Sequence, residues 1–497
     1  MEIFVRGVDE RYKRSLEHIA QLYFEEVEVN FTEHEESDFE LSLNIRGEQL
    51  IQVSATLVGK DANEHASFEK HVGTLSSEKE WLKKAKQAAN HVFVKVLTAY
   101  TGIAQPWGTL TGIRPTKLIH QKLRQLQDKA AVHEELRRDY LLSEEKIELV
   151  QRIVDRQLAV VPDLYKLDRE VSIYIGIPFC PTKCAYCTFP AYAINGKNGS
   201  VEAFLDGLHY EIEETGKWLA ENGVNITTVY FGGGTPTSIS AEQMDKLYET
   251  MYESFPNMDQ VRELTVEAGR PDTITPEKVE VLKKWKVDRI SINPQSFEDE
   301  TLKAIGRHHS VEETVTKYKL ARELGLENIN MDLIIGLPGE GVPEMRHTLG
   351  ETEKLLPESL TVHTLSFKRA STMTKNKEKY KVASREEVLD MMKMTSEWTT
   401  EQGYEPYYLY RQKNILGNLE NIGYAFPEKE SIYNIMIMEE CQTIIGLGCG
   451  AASKWVEPGT GKITRLANPK DPVTYNERFK HYTEEKIKVL ADLFSKE

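Results

Sequence analysis

The sequence predicts an α/β protein: a partial (β/α)6 TIM-like barrel, preceded by an α+β amino-terminal domain and followed by a small carboxy-terminal accessory domain. Three observations carry that expectation. Six short β-branched runs recur between residues 171 and 367, separated by helix-length amphipathic segments. The stretch before them has a different texture, and the stretch after about 380 loosens again. Each run also ends near a polar or glycine-rich segment, as expected where a barrel gathers its ligands at the carboxyl ends of its strands. The boundaries read as 1–165, 166–380 and 381–497.

The amino-terminal part opens on a strand-like MEIFVRGV and continues with LSLNIRGEQLIQVSATLVG, whose apolar alternation suits a half-exposed antiparallel sheet. Helical patterns follow at 78–100 and 133–160, the second entered through Ser143 as a helix cap. Between them, WGTLTGIRPTKLIH (107–120) reads as a structural turn with Arg114 solvated or salt-bridged. The barrel strands are then VSIYIGI (171–177), ITTVYF (226–231), ELTVE (263–267), DRISI (288–292), NINMDLII (328–335) and SLTVHTLSF (359–367). Parallel neighbours need a crossover of a dozen or more residues, and segments such as 201–222 and 276–285 supply it. After them come a helix at 385–402, a Tyr-rich YEPYYLYRQKN, a strand-like QTIIGLGCGAAS and a lysine-rich terminal helix, together read as a lid or accessory domain.

Composition narrows the function classes. At ~150 residues per domain, 497 residues suit about three domains. With 62 Lys and Arg against 78 Asp and Glu, the formal charge is −16, and no clustered basic surface is evident. That argues against nucleic acid as a partner, because a polyanion needs such a surface. No stretch approaches the ~18 apolar residues of a membrane span and the first 20 residues lack a signal-like apolar core, so a soluble cytoplasmic protein is expected. Five cysteines, an odd number in a chain too long to need disulfide staples, point to a reducing compartment.

Three of those cysteines carry the chemistry. Cys180, Cys184 and Cys187 lie in IPFCPTKCAYCTFP with C-x3-C-x2-C spacing, which lets three thiolates converge on one inorganic centre. A structural zinc site wants four ligands and no second cysteine pair follows, although a degenerate zinc knuckle or a redox-active thiol set would also use such residues. Three ligands on a four-iron cluster leave one iron for a small molecule. The second strand ends in FGGGTPTS, a tight turn and a credible cradle for a small polar ligand, lacking the spacing of a phosphate loop. Glu267, Asn293, Gln295, Asp332 and His363 recur at successive strand ends, with Arg307 shortly after the fourth.

Together these segments resemble the radical S-adenosylmethionine (SAM) superfamily. More narrowly, IPFC…C…YC, FGGGTPT, the Gln295-to-Arg307 spacing and DLIIGLPG resemble the oxygen-independent coproporphyrinogen III oxidase family, HemZ-type branch, over roughly 165–497. The resemblance implies a radical SAM barrel holding a 4Fe-4S cluster on Cys180, Cys184 and Cys187, with SAM chelating the remaining iron. It implies that Tyr174 lies against SAM as the catalytic tyrosine, that Gly233, Gly234 and Thr235 line SAM, and that Glu267, Gln295, Arg307 and Asp332 bind its polar groups. Ala452 falls where the family's carboxy-terminal domain touches a second SAM. The implied reaction is the oxidative decarboxylation of two propionates of coproporphyrinogen III, giving protoporphyrinogen IX, with electrons from a donor such as flavodoxin or ferredoxin.

One departure opens an alternative. The well-understood decarboxylating members carry a further cysteine two residues after the third ligand, where this chain has Phe189. The haem-chaperone branch of the family shares that feature, and His308, His309 and His363 are its candidate axial ligands here. Lys368, Arg369 and Arg411 are the candidate cations for an anionic tetrapyrrole, on charge alone. Cys441 and Cys449, in apolar or glycine-rich contexts, read as ordinary buried thiols.

Overall fold

The computed structural model describes residues 1–24, 26–32, 37–112, 114–125, 128–196, 198–366, 371, 373, 380–412, 415 and 418–495. They divide into two compact units, Met1–Arg152 and Ile153–Glu497.

In the first unit, apolar alternation does what the sequence predicts. Strands β1 (Glu2–Arg6), β2 (Glu28–Asn30), β3 (Phe39–Arg46), β4 (Leu50–Gly59) and β5 (Ala62–His71) form one sheet in the order β2-β1-β3-β4-β5. On β4, Ile51, Val53, Ala55 and Leu57 point into a core with Ala88, Val92 and Phe93 of helix Glu78–Thr101, while Gln52 and Val58 stay exposed. Burying one face is what fixes the register of such a sheet. The arrangement departs from the expected all-antiparallel one, since β1 runs parallel to both β2 and β3. Strand β5 also went unread, because ANEHASFEKH has no continuous apolar alternation to declare it.

The second unit carries an eleven-stranded sheet. Its centre is a series of parallel strands taken in sequence order: β6 (Glu170–Ile177), β9 (Asn225–Gly233), β10 (Glu263–Glu267), β11 (Arg289–Ser291), β12 (Ile329–Ile335) and β13 (Ser359–Thr364). These are the six predicted runs, each within a few residues of its expected bounds. Between β6 and β9 lie two further short strands, β7 (Phe179–Cys180) and β8 (Tyr192–Ala193), which pair only with each other. Crossover helices start where a side-chain oxygen can cap them: Ser200, Ser240, Thr275 and Ser310 each accept the backbone N–H three residues on.

The carboxy-terminal part joins this same sheet at both edges. Strand β14 (Glu405–Tyr410) and β15 (Asn421–Ala425) extend it antiparallel beyond β13. At the opposite edge, β16 (Thr443–Gly448) lies parallel to β6, followed by β17 (Ala452–Val456) and β18 (Ile463–Ala467). The sequence reading had β16 as a strand of a lid; its actual partner is the strand that leads to the cysteines. A fully buried cluster pins it there: Glu211, on helix Val201–Glu221, is ion-paired with Lys486 of helix Pro472–Phe494 and accepts the Gly448 N–H at 2.6 Å and the Tyr475 hydroxyl at 2.8 Å.

Candidate active site

At the carboxyl ends of the parallel strands lies a cavity of about 590 Å³. All twelve site residues read from the sequence line it: the three cysteines, Tyr174, Gly233, Gly234, Thr235, Glu267, Gln295, Arg307, Asp332 and Ala452.

The cysteine loop is built as a closed handle. Pairing of β7 with β8 brings Phe179 opposite Tyr192 and Cys180 opposite Ala193, joining the loop's two ends. Cys180 is buried, with Sγ 3.3 Å from Thr235 Oγ1, and burial pushes its thiol up to about 11 against the opposing effect of that hydrogen bond. A thiol so placed loses its proton to solvent only when a strong positive charge is there to stabilise the thiolate. Arg270, held by Asp272 at 2.9 Å, donates to the Thr182 hydroxyl at 3.0 Å and so braces the first half of the loop. No disulfide joins the five cysteines, and among the described residues no three metal-ligating side chains are drawn together as a closed ion site.

The glycine segment explains itself by contact distance. A Cβ on Gly234 would stand 2.6 Å from Phe179 O, and one on Gly233, whose φ is +112°, 2.9 Å from Ile177 O. Gly234 N–H donates to Ile177 O at 2.8 Å and Thr235 N–H to Phe179 O at 2.7 Å. The missing side chains therefore let β9 lie flat against the backbone that presents Cys180, in addition to leaving the cavity wall open.

Around the rest of the wall, the polar groups are individually fixed. Tyr174, Tyr230 and Tyr433 lie near-parallel, with Tyr230 and Tyr433 centroids 4.3 Å apart. Tyr230 donates its hydroxyl to Glu267, whose carboxyl is pushed up to about 7 by burial and then by the nearby Asp332. Asp332 accepts from Asn293 and Asn330 at 2.8 Å each and faces His363 Nε2 at 3.6 Å. Burial pushes its carboxyl up, but His363, Asn330 and Thr361 outweigh it and the net direction is down. Arg307 donates to Gly269 O at 2.6 Å and to the Tyr186 hydroxyl at 3.1 Å, while its Nε is buried without a partner.

Several expectations about substrate contacts change. Arg411 is buried and spends its guanidinium on Asn418 and its carbonyl, so it does not line the cavity as a free cation. Burial lowers its pKa to about 10. Lys368 and Arg369 lie outside the described residues. Of the three histidines only His363 lines the cavity, His308 being exposed and His309 buried away from it. The sequence reading missed Tyr186, Arg270, Tyr230 and Tyr433; the first sits inside the cysteine motif itself, and its aromatic ring is the signal that was there to read.

Residues 174–351 match the family model for the radical SAM superfamily. The oxygen-independent coproporphyrinogen-III oxidase-like protein HemZ of Bacillus subtilis is 62% identical over 100% of this chain and 99% of its own length. The chain belongs to the HemZ-like family of radical SAM proteins. Two more distant likenesses frame that family. The haem chaperone HemW of Bacillus subtilis is 38% identical over 39% of this chain and half of its own length. The coproporphyrinogen III oxidase HemN of Escherichia coli shares the fold, with a TM-score of 0.52 at 23% identity over 66% of this chain and 72% of that one.

Radical SAM proteins use a 4Fe-4S cluster and SAM, and the HemZ-like cavity fits both. Three cysteine side chains stand on one wall, the glycine segment keeps the adjoining wall clear of side chains, and the orphaned Nε of Arg307 offers a donor. No helix among the described residues is long and apolar enough to cross a membrane.

Proposed function

We propose that the protein catalyses the oxidative decarboxylation of coproporphyrinogen III to protoporphyrinogen IX, a step of anaerobic haem biosynthesis, in the cytoplasm. The observation that carries this reading is the convergence of the three cysteines and nine further family-matched residues on one cavity. When bound, the cluster and SAM supply the reducing electron and the hydrogen-abstracting carbon radical, chemistry that is the cofactors' own.

The chain's residues bind and orient. Cys180, Cys184 and Cys187 hold the cluster, the closed handle of β7 and β8 setting their entry. Gly233, Gly234 and Thr235 line SAM. Arg307 suits a carboxylate through its fork of donors, and Glu267 and Asp332 suit ammonium and ribose hydroxyl groups. Gln295 completes that set, and Ala452 borders a second SAM. Tyr174, stacked within the tyrosine layer, would lie against SAM and exclude water from that wall of the cavity. The electron donor is a small reducing protein such as flavodoxin or ferredoxin. Residues 1–165, 166–380 and 381–497 are proposed as the functional division, with the last contributing a cavity wall through Tyr433 and Ala452.

A second reading, a haem-binding chaperone of the same family, draws on Phe189, which stands 59% exposed at the cavity rim in place of a cysteine, and on the HemW likeness. His363 is its one cavity-lining histidine of the three named, and it is already engaged with Tyr410 at 3.0 Å. Anaerobically reconstituted protein with SAM, reductant and coproporphyrinogen III separates the two. Release of methionine, 5′-deoxyadenosine and protoporphyrinogen IX supports the enzyme. Cleavage of SAM with the porphyrinogen untouched refutes it, and stable haem binding without turnover favours the chaperone.

A further inference from the structure

Between the second and third cysteines the chain reads Ala185-Tyr186, and these two residues tie the loop to the barrel. Ala185 is held by its backbone on both sides, its N–H donating to Ile305 O at 2.9 Å and its carbonyl accepting from Met373 at 3.1 Å. Tyr186 packs its ring against an apolar cluster containing Leu302, Ile305, Ile334 and Leu365. Its hydroxyl emerges from that cluster between two polar groups. It donates to Gln295 Oε1 at 3.2 Å and accepts from Arg307 Nη1 at 3.1 Å.

Both partners are set by more than this hydroxyl, and each reaches a different strand end. Arg307 Nη2 donates to Gly269 O at 2.6 Å, just beyond β10. Gln295 sits at φ +68°, in the left-handed region, with its N–H on Asp332 O and its carbonyl accepting from Ile334, both at 2.9 Å. A non-glycine residue in that region holds its place only where surrounding bonds over-determine it. The phenol has two side-chain torsions, is partly buried, and has one donor and one acceptor site in use, so it cannot swing without losing both bonds.

We infer that Tyr186 is a positioning residue, whose hydroxyl couples the placement of the cysteine loop to the orientation of Gln295 and Arg307. Cluster and SAM are thereby seated as one unit: a displaced loop carries the hydroxyl away from the two side chains that face SAM. This rests on the cofactor reading given above. A ring that merely filled the apolar cluster would be replaced by phenylalanine without consequence, so the hydroxyl decides the matter.

The experiment is Tyr186→Phe in the full chain, reconstituted without oxygen. Iron per chain stays at the wild-type level, while the SAM dissociation constant, by equilibrium dialysis, rises about tenfold, the loss of one hydrogen bond to a charged group. The spectral change that SAM produces in the reduced cluster's electron paramagnetic resonance then needs correspondingly more SAM. In the metal-free chain, Cys184 and Cys187 are alkylated faster by iodoacetamide in the variant, because the loop has lost its tie. Gln295→Leu provides the cycle: Tyr186→Phe added to it weakens SAM binding by less than it does alone. Wild-type SAM affinity in Tyr186→Phe, or full additivity with Gln295→Leu, overturns the coupling, as does loss of iron in Tyr186→Phe. Failure of the wild-type protein to hold iron or SAM instead refutes the cofactor reading and is seen before any variant is made.

Discussion

Glu267→Gln isolates the cost of keeping a carboxyl in the cavity wall. Burial pushes the group up to about 7 in the folded chain, against about 4.5 for an ordinary glutamate. Its folded value lies above its unfolded one, so the penalty is absent well below pH 4.5, grows as pH rises through 4.5–7, and is constant above. Each unit of difference is worth about 1.4 kcal/mol, which gives about 1 kcal/mol at pH 5 and about 3 kcal/mol at pH 8. Glu267 is partly exposed, facing the cavity, so water there screens it and 3 kcal/mol is an upper bound. Glutamine keeps an Oε1 acceptor for the Tyr230 hydroxyl while losing the charge. The variant without cofactors should therefore unfold at higher urea than wild type, with a difference that widens from pH 5 to pH 8. SAM retention by the reconstituted variant should fall at the same time, a trade of function against stability. A stability difference that stays flat or narrows between pH 5 and pH 8 refutes the reasoning.

Further outcomes follow from other parts of the cavity unit. Cys184→Ala should abolish the brown colour and visible absorption of protein purified without oxygen, checked against iron content. Gly234→Ala places a methyl group 2.6 Å from Phe179 O and should cost about 1–3 kcal/mol in urea unfolding, with weaker SAM retention. Lys486→Met leaves Glu211 as an uncompensated buried charge and should lower stability by about 3–5 kcal/mol; adding Glu211→Gln should recover part of it. A double variant as unstable as the sum of its singles would show that the ion pair is not the source.

What was legible in the sequence depended on how local its cause was. The six barrel strands announced themselves because a β-branched run and its crossover helix are neighbours in the chain, and the cysteine spacing is a property of eight consecutive residues. Tyr186 lies within that motif but carries no legible role there, because what its hydroxyl does depends on Gln295 and Arg307, more than a hundred residues on. Arg411 was misjudged for a related reason: sequence shows a charge, whereas its burial against Asn418 is a fact of packing. Parallel β1 and the partner of β16 were equally unreadable, since strand direction and pairing are chosen by the assembled sheet.

The pairing of β16 with β6 joins Thr443 to Val171 and Gly448 to Gly176, residues about 270 apart in sequence. During synthesis the strand leading to Cys180 emerges early with one edge bare, and a bare edge is a template for wrong partners. Its proper neighbour is made only about 270 residues later, and the helix that pins it there, Pro472–Phe494, comes later still. The cysteine handle thus acquires its finished support only once β16 and the helix Pro472–Phe494 have been made, so iron and sulfur are expected to load after those segments. A ribosome-bound fragment ending before Thr443 should remain iron-free under conditions that load the full chain.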